Sequence, residues 1–138
     1  MTTPKTWFIT GASSGLGLAL TRRVLAVGDR VVATSRRGVL PVQHPSLSVV
    51  RLNPADRDEC RRAILKGHET AGCLDVLVNN AGYGLVGATE EVSEEEARAI
   101  LDVDLLGPLW LTQAALPLMR AQGSGHIVQI SSTGGVGA

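Results

Sequence analysis

The segment Thr10-Gly11-Ala12-Ser13-Ser14-Gly15-Leu16-Gly17 sets three glycines where a short apolar run, Thr6 to Thr10, gives way to helical periodicity from Gly15 to about Leu25. Glycine reaches backbone conformations and close approaches that a Cβ forbids. A helix starting at such a turn points unpaired N–H groups at whatever lies above it, so a pyrophosphate fits there. A tight βα turn with close helix–strand packing produces the same glycines without any ligand. Either way, the chain must open with a buried strand feeding directly into a helix.

Strand and helix patterns alternate along the remainder. An amphipathic helix from Leu16 to Ala26 stops at Gly28-Asp29, and Arg30 to Ser35 reads as a second strand. Arg36-Arg37-Gly38 and the stretch to Pro45 form a connection, and Ser46 to Leu52 reads as a third strand, rich in Val and Leu. Asp56 predicts the N-cap of a helix through about Lys66, with Glu59 completing a capping box, and Gly72 ends that region. Leu74 to Asn79 is a fourth strand, followed by a glycine-rich loop from Asn80 to Gly87. Ser93 caps a long helical region to about Ala121, with Glu94, Glu95 and Glu96 favoured in its first turn by the helix dipole. Gly107-Pro108 predicts a bend or local break inside it, and His126 to Ser131 is a fifth strand. Strands alternating with helices predict an α/β fold, a Rossmann-like doubly wound parallel sheet with helices on both faces and ligands at the carboxyl ends of its strands. All 138 residues read as one domain, with no internal repeat or linker.

Composition narrows the function classes. Hydrophobic residues make up 44% and aromatics only 3%, which suits strands buried on both faces. Thirteen basic and thirteen acidic residues cancel, and no long basic stretch stands out, so nucleic-acid and anionic-membrane partners are not expected. Cys60 and Cys73 lack ligand-spaced partners and read as ordinary reduced thiols, and His44, His68 and His126 are scattered, so no metal is expected. The N-terminus carries no signal-peptide pattern, and the apolar stretch Leu105 to Met119 reads as too short and too interrupted for a membrane span. A soluble, cytoplasmic protein is the expectation.

Three motifs in order, Thr10-Gly11-x-x-x-Gly15-x-Gly17, Asn79-Asn80-Ala81-Gly82 and Ile130-Ser131-Ser132, resemble the short-chain dehydrogenase/reductase family over essentially the whole chain. The resemblance implies strand order 3-2-1-4-5 and hydride transfer between a nicotinamide cofactor and an alcohol or carbonyl substrate. It assigns the cofactor pyrophosphate to Gly11, Ser13, Ser14, Gly15 and Leu16, with helix N-capping as a compatible role for the serines. NAD-preferring relatives carry an acid at the end of the second strand. Here Ser35 stands there, followed by Arg36 and Arg37, which favours NADP(H) over NAD(H), because arginine grips a 2′-phosphate that a carboxylate would repel. Arg36 is the main contact expected, and two solvated loop arginines are the plain alternative. Asn53 fits the family's adenine position, while Pro54 removes an N–H that relatives use there. Asn80 resembles the residue beside the cofactor ribose, with a structural role in the loop as the other reading.

The family's catalytic set is Asn, Ser, Tyr and Lys. Ser132 matches the serine, with Ser131 its neighbour, and Asp104 stands where relatives carry the Asn whose main-chain carbonyl holds a relay water. A buried Asp104 carboxylate would carry a desolvation cost. The motif Tyr and Lys do not occur before Ala138, and Tyr83, the only tyrosine, belongs to the loop after the fourth strand. The expectation is therefore the cofactor-binding portion of a longer enzyme, inactive on its own. A non-catalytic nucleotide-binding or interaction module is the alternative, and a nucleotide-sugar epimerase fits the glycine spacing less well. Relatives commonly form dimers or tetramers through the long helix, whose Leu101, Leu105, Leu109 and Leu116 make an apolar stripe, so a homodimer or homotetramer is expected.

Overall fold

The computed structural model describes residues 3–135. Five strands, β1 (Thr6–Ile9), β2 (Arg30–Ser35), β3 (Leu47–Arg51), β4 (Val76–Asn79) and β5 (His126–Gln129), form one parallel sheet in the order β3-β2-β1-β4-β5. The expected topology is therefore present. Four helices accompany it: α1 (Gly15–Ala26), α2 (Arg57–Ala71), α3 (Glu94–Leu101) and α4 (Gly107–Gln122).

Two apolar layers sandwich the sheet, because successive strand residues face opposite sides. Phe8, Val32 and Leu77 point to the layer shared with Ile64 of α2 and Leu111 and Ala115 of α4. Ile9, Val31, Ala33 and Val78 point to the layer closed by Val24 and Leu25 of α1. Cys60, fully buried in the first layer, has its thiol pushed up to about 11 by burial, with the Asp56 and Glu59 carboxylates adding, so it stays protonated and unreactive.

The helix starts follow the sequence with one correction. Ser93 and Glu96 form a reciprocal capping box, and the Glu96 carboxylate is held below its usual range first by the Ser93 N–H, 2.9 Å away, and then by its hydroxyl. At α2 the expected box is only half present. Asp56 Oδ1 accepts the Glu59 N–H at 2.8 Å, but the Glu59 side chain accepts instead from the Asn53 N–H, also at 2.8 Å. The reason is local: the Asp56 N–H already donates to the Asn53 carbonyl at 3.0 Å.

Gly107-Pro108 does not break the long helix. A five-residue π-helical turn, Asp102–Leu106, joins α3 to α4 into one rod from Glu94 to Gln122. Proline within an α-helix lacks an N–H for the carbonyl four residues back and collides with it. For Pro108 that carbonyl belongs to Asp104, and the wider π turn gives it room. The rod spans 29 residues with a window of mean hydropathy 1.3, long and apolar enough to cross a membrane by length and composition alone, which corrects the reading of 105–119 as too short. Only its second half packs on the core, where Leu111, Ala115 and Met119 are buried, Leu111 and Ala115 among the residues of α2 and β4, and 17% of the apolar window is buried.

Candidate functional site at the carboxyl edge of the sheet

The chain runs outward from β1 through β2 to β3 and then returns to β4 on the other side, which makes the carboxyl ends of β1 and β4 the topological switch point. Thr10 stands there, 1% exposed. Its hydroxyl accepts the N–H groups of Asn80 at 3.0 Å and Ala81 at 2.9 Å, and donates to the Val78 carbonyl at 3.4 Å. The Asn80 amide closes the clasp from the other side, donating from Nδ2 to the Thr10 and Gly11 carbonyls at 3.0 and 3.3 Å. Asn80 thus ties the glycine turn to the loop after β4, the structural role of the two readings. Sequence reasoning passed over Thr10 as a site residue; its signal was a threonine, rather than an apolar residue, at the last position before the first glycine.

Gly11 and Gly17 exist for this clasp. A Cβ on Gly17 would lie 2.3 Å from the Gly11 carbonyl oxygen, and one on Gly11, at φ +63°, would lie 2.9 Å from the Ala81 Cα. Gly15 differs: it holds φ +54° and a Cβ there would meet nothing within 4 Å. Space therefore opens directly over the first turn of α1. Ser13, Ser14, Gly15 and Leu16 are all exposed around it, and no acidic residue occupies that turn. Ser14 is the N-cap by position, but its side chain makes no capping bond, so the hydroxyl is not spent on the helix. An open cradle of helix N–H groups, without a carboxylate, suits an anionic group such as a pyrophosphate.

At the end of β2 the chain makes a tight reversal. The Gly38 N–H donates to the Ser35 carbonyl at 3.2 Å, and Ser35 Oγ both donates to the Val39 carbonyl and accepts its N–H, at 2.9 and 3.1 Å. Arg36 and Arg37 occupy the two middle positions of this reversal and are exposed. No ion pair among the described residues involves either of them.

Asn53 lies just beyond β3, exposed. Its Oδ1 accepts the Ala55 N–H at 3.1 Å and its own N–H goes to Glu59, which leaves Nδ2 as the polar atom directed at no protein partner among the described residues. With Pro54 next, this corner offers an adenine edge one donor from the side chain.

Across the switch point, Asp104 lies in the π turn. Its Oδ1 accepts the Tyr83 N–H at 3.1 Å, which ties the loop after β4 to the long helix. The residue is exposed, so the burial on which a desolvation cost depended is absent. Ser132 follows β5, whose exit is fixed by the Ile130 N–H donating to the Asn79 carbonyl at 3.0 Å. Ser132 is exposed, and its Oγ accepts the Gly134 N–H at 3.3 Å. Tyr83, tied to Asp104 through its N–H, is 47% exposed. Among the described residues no group of His, Cys, Asp or Glu could hold a metal ion.

These positions lie on the segments that leave the carboxyl ends of the strands, with Asp104 tied to one of them through the Tyr83 N–H. The family model for short chain dehydrogenases matches residues 5–138. Oxidoreductase BOA17 of Botryotinia fuckeliana is 40% identical over 95% of this chain and 50% of its own length. Oxidoreductase claN of Passalora fulva is 41% identical over 93% of this chain and 61% of its own. A short-chain dehydrogenase from Streptomyces avermitilis superposes with a TM-score of 0.90 at 39% identity, covering 96% of this chain and 51% of that one. The chain spans about half the length of such relatives. Fold, motif order and these matches agree: the chain belongs to the short-chain dehydrogenase family.

Proposed function

We propose that this chain serves an NADP(H)-dependent oxidoreductase that interconverts an alcohol and a carbonyl, and that it provides the cofactor site together with part of the catalytic site. The observation that carries the cofactor choice is the reversal after β2, with two exposed arginines and no carboxylate where an acid would serve a 2′-hydroxyl. Arg36, with Arg37 beside it, would bind the 2′-phosphate. The N–H groups of Ser13 through Leu16 and the free Ser14 hydroxyl would hold the pyrophosphate. The Asn53 amide would donate to the adenine edge, and Asn80, beside the cofactor ribose, would also keep the cradle in shape through its Nδ2.

When bound, the nicotinamide supplies or accepts the hydride. Ser132, exposed after β5, would donate its hydroxyl to the substrate oxygen and steady the charge that develops there. Asp104 would contribute its main-chain carbonyl, since Pro108 has no N–H to offer it, while its carboxylate braces the Tyr83 loop. The exposed Leu101, Leu105 and Leu109 of the rod would meet a second copy.

Titrating the protein with both cofactors tests the reading. Arg36→Asp should weaken NADPH binding about thirtyfold, because it replaces a charge-assisted contact with repulsion, and leave NADH within about twofold. Equal losses for the two cofactors would remove Arg36 from the phosphate site. Ser132→Ala should lower turnover about a hundredfold wherever turnover is measured, the usual effect of deleting one donor to a developing oxyanion, with cofactor affinity intact. Unchanged turnover would take Ser132 out of the catalytic set.

A further inference from the structure

Arg51 has no role in any motif, yet its side chain is not left loose in water. It is the last residue of β3 and pairs in register with Ser35, the residue that opens the reversal carrying Arg36 and Arg37. Its Nε donates to the main-chain carbonyl of Arg36 at 3.3 Å. The loop closes tightly over it: a Cβ on Gly38, at φ +70°, would lie 3.3 Å from the Arg51 Cβ. The terminal nitrogens of Arg51 make no hydrogen bond or ion pair among the described residues.

A solvated charge on an edge strand is a common guard against strand pairing. Such a guard gains nothing by folding its guanidinium back onto a neighbouring carbonyl. Here the fork geometry of arginine lets one nitrogen fix the reversal while two others remain available as donors. Three arginines thereby share one corner, Arg51 held by its Nε and Arg36 and Arg37 exposed on the reversal, and none of them forms an ion pair among the described residues. That arrangement is self-repelling until an anion of more than one charge arrives.

We infer that Arg51 is a specificity-determining residue for the 2′-phosphate, positioning Arg36 through its carbonyl and presenting its own terminal nitrogens to the same group. The inference rests on the NADP(H) reading above and adds a third arginine from a different strand. It accounts for why the reversal after β2 is held twice, its ends joined by Ser35 and Val39 and its middle braced through the Arg36 carbonyl by Arg51.

The test is calorimetric titration of the full chain, its Arg51→Met variant and its Arg51→Lys variant with NADPH and NADH. Arg51→Met should weaken NADPH about tenfold and NADH less than about twofold, the size expected for one partly exposed charge-assisted contact. Arg51→Lys should recover only part of the loss, because an ammonium cannot brace the Arg36 carbonyl and reach the phosphate together. Equal weakening of both cofactors, or none, would overturn the assignment while the wild-type preference for NADPH stood. A wild-type chain that binds the two cofactors equally would overturn both the assignment and the reading beneath it.

Discussion

Gly17→Ala is expected to lose about 4 kcal/mol of stability, read as a fall in the urea midpoint at unchanged slope, and to abolish cofactor binding in what remains folded. The methyl group would be driven to 2.3 Å from the Gly11 carbonyl oxygen and 2.5 Å from the Asn80 amide nitrogen. Overpacking against flexible side chains costs about 1–3 kcal/mol. Here the obstacle is backbone held by the Thr10 clasp, which cannot swing aside, so the loss belongs at or beyond the upper end. Gly15→Ala is the control in the same turn. It carries backbone strain of about 1–2 kcal/mol from a positive φ but meets no neighbour, so its midpoint should fall much less. If Gly17→Ala were as mild as Gly15→Ala, the close approach would not be what the third glycine provides.

Thr10→Val should be the next most damaging change. It keeps the shape and removes one oxygen, leaving the Asn80 and Ala81 N–H groups without the acceptor they share. Each partly buried N–H so orphaned costs about 1–3 kcal/mol, and the pair sums to about 3 kcal/mol after water reaches one of them. Thr10→Ser, which retains the oxygen, should restore most of the stability. Hydrogen exchange at the Asn80 and Ala81 amides reads the mechanism directly: both should speed up in Thr10→Val and stay near wild type in Thr10→Ser. Slow exchange at both in the valine variant would mean that the clasp is held by the Asn80 side chain alone.

The two halves of this site were unequally legible in the sequence. The alternation of strands with helices and the glycine turn followed from periodicity and spacing because they depend on residues near one another in the chain, whereas the strand order, which joins segments as distant as Trp7 and Val76, came only from the family resemblance. The half-formed box at Asp56 and the unbroken rod across Pro108 were misread, since each depends on a competitor. The Asn53 carbonyl takes the N–H that Glu59 was expected to cap, and a π turn absorbs the proline. The Thr10 clasp and the Arg51 brace were invisible for another reason: their partners lie 70 or so and 15 residues away, and no local pattern reports such a contact. Ser132 was legible because its motif ends a strand, whereas Arg36, Arg37, Asn53 and Asp104 lie outside the three motifs and were assigned only through the family resemblance those motifs carry.

The rod from Glu94 to Gln122 is supported along only part of its length. Its second half is pinned by Leu111, Ala115 and Met119, whereas none of the residues of α3 is buried and its main neighbour is the π turn itself. Among the described residues it is a cantilever, clamped in the core through α4 and carried beyond the clamp by the π turn at its acidic end. Its order must decay outward from the clamp, with the softest point where the π turn loosens the ladder of hydrogen bonds. Asp104 sits at that fulcrum and carries the Tyr83 loop through one bond, so any load on the outer arm is felt at the mouth of the site.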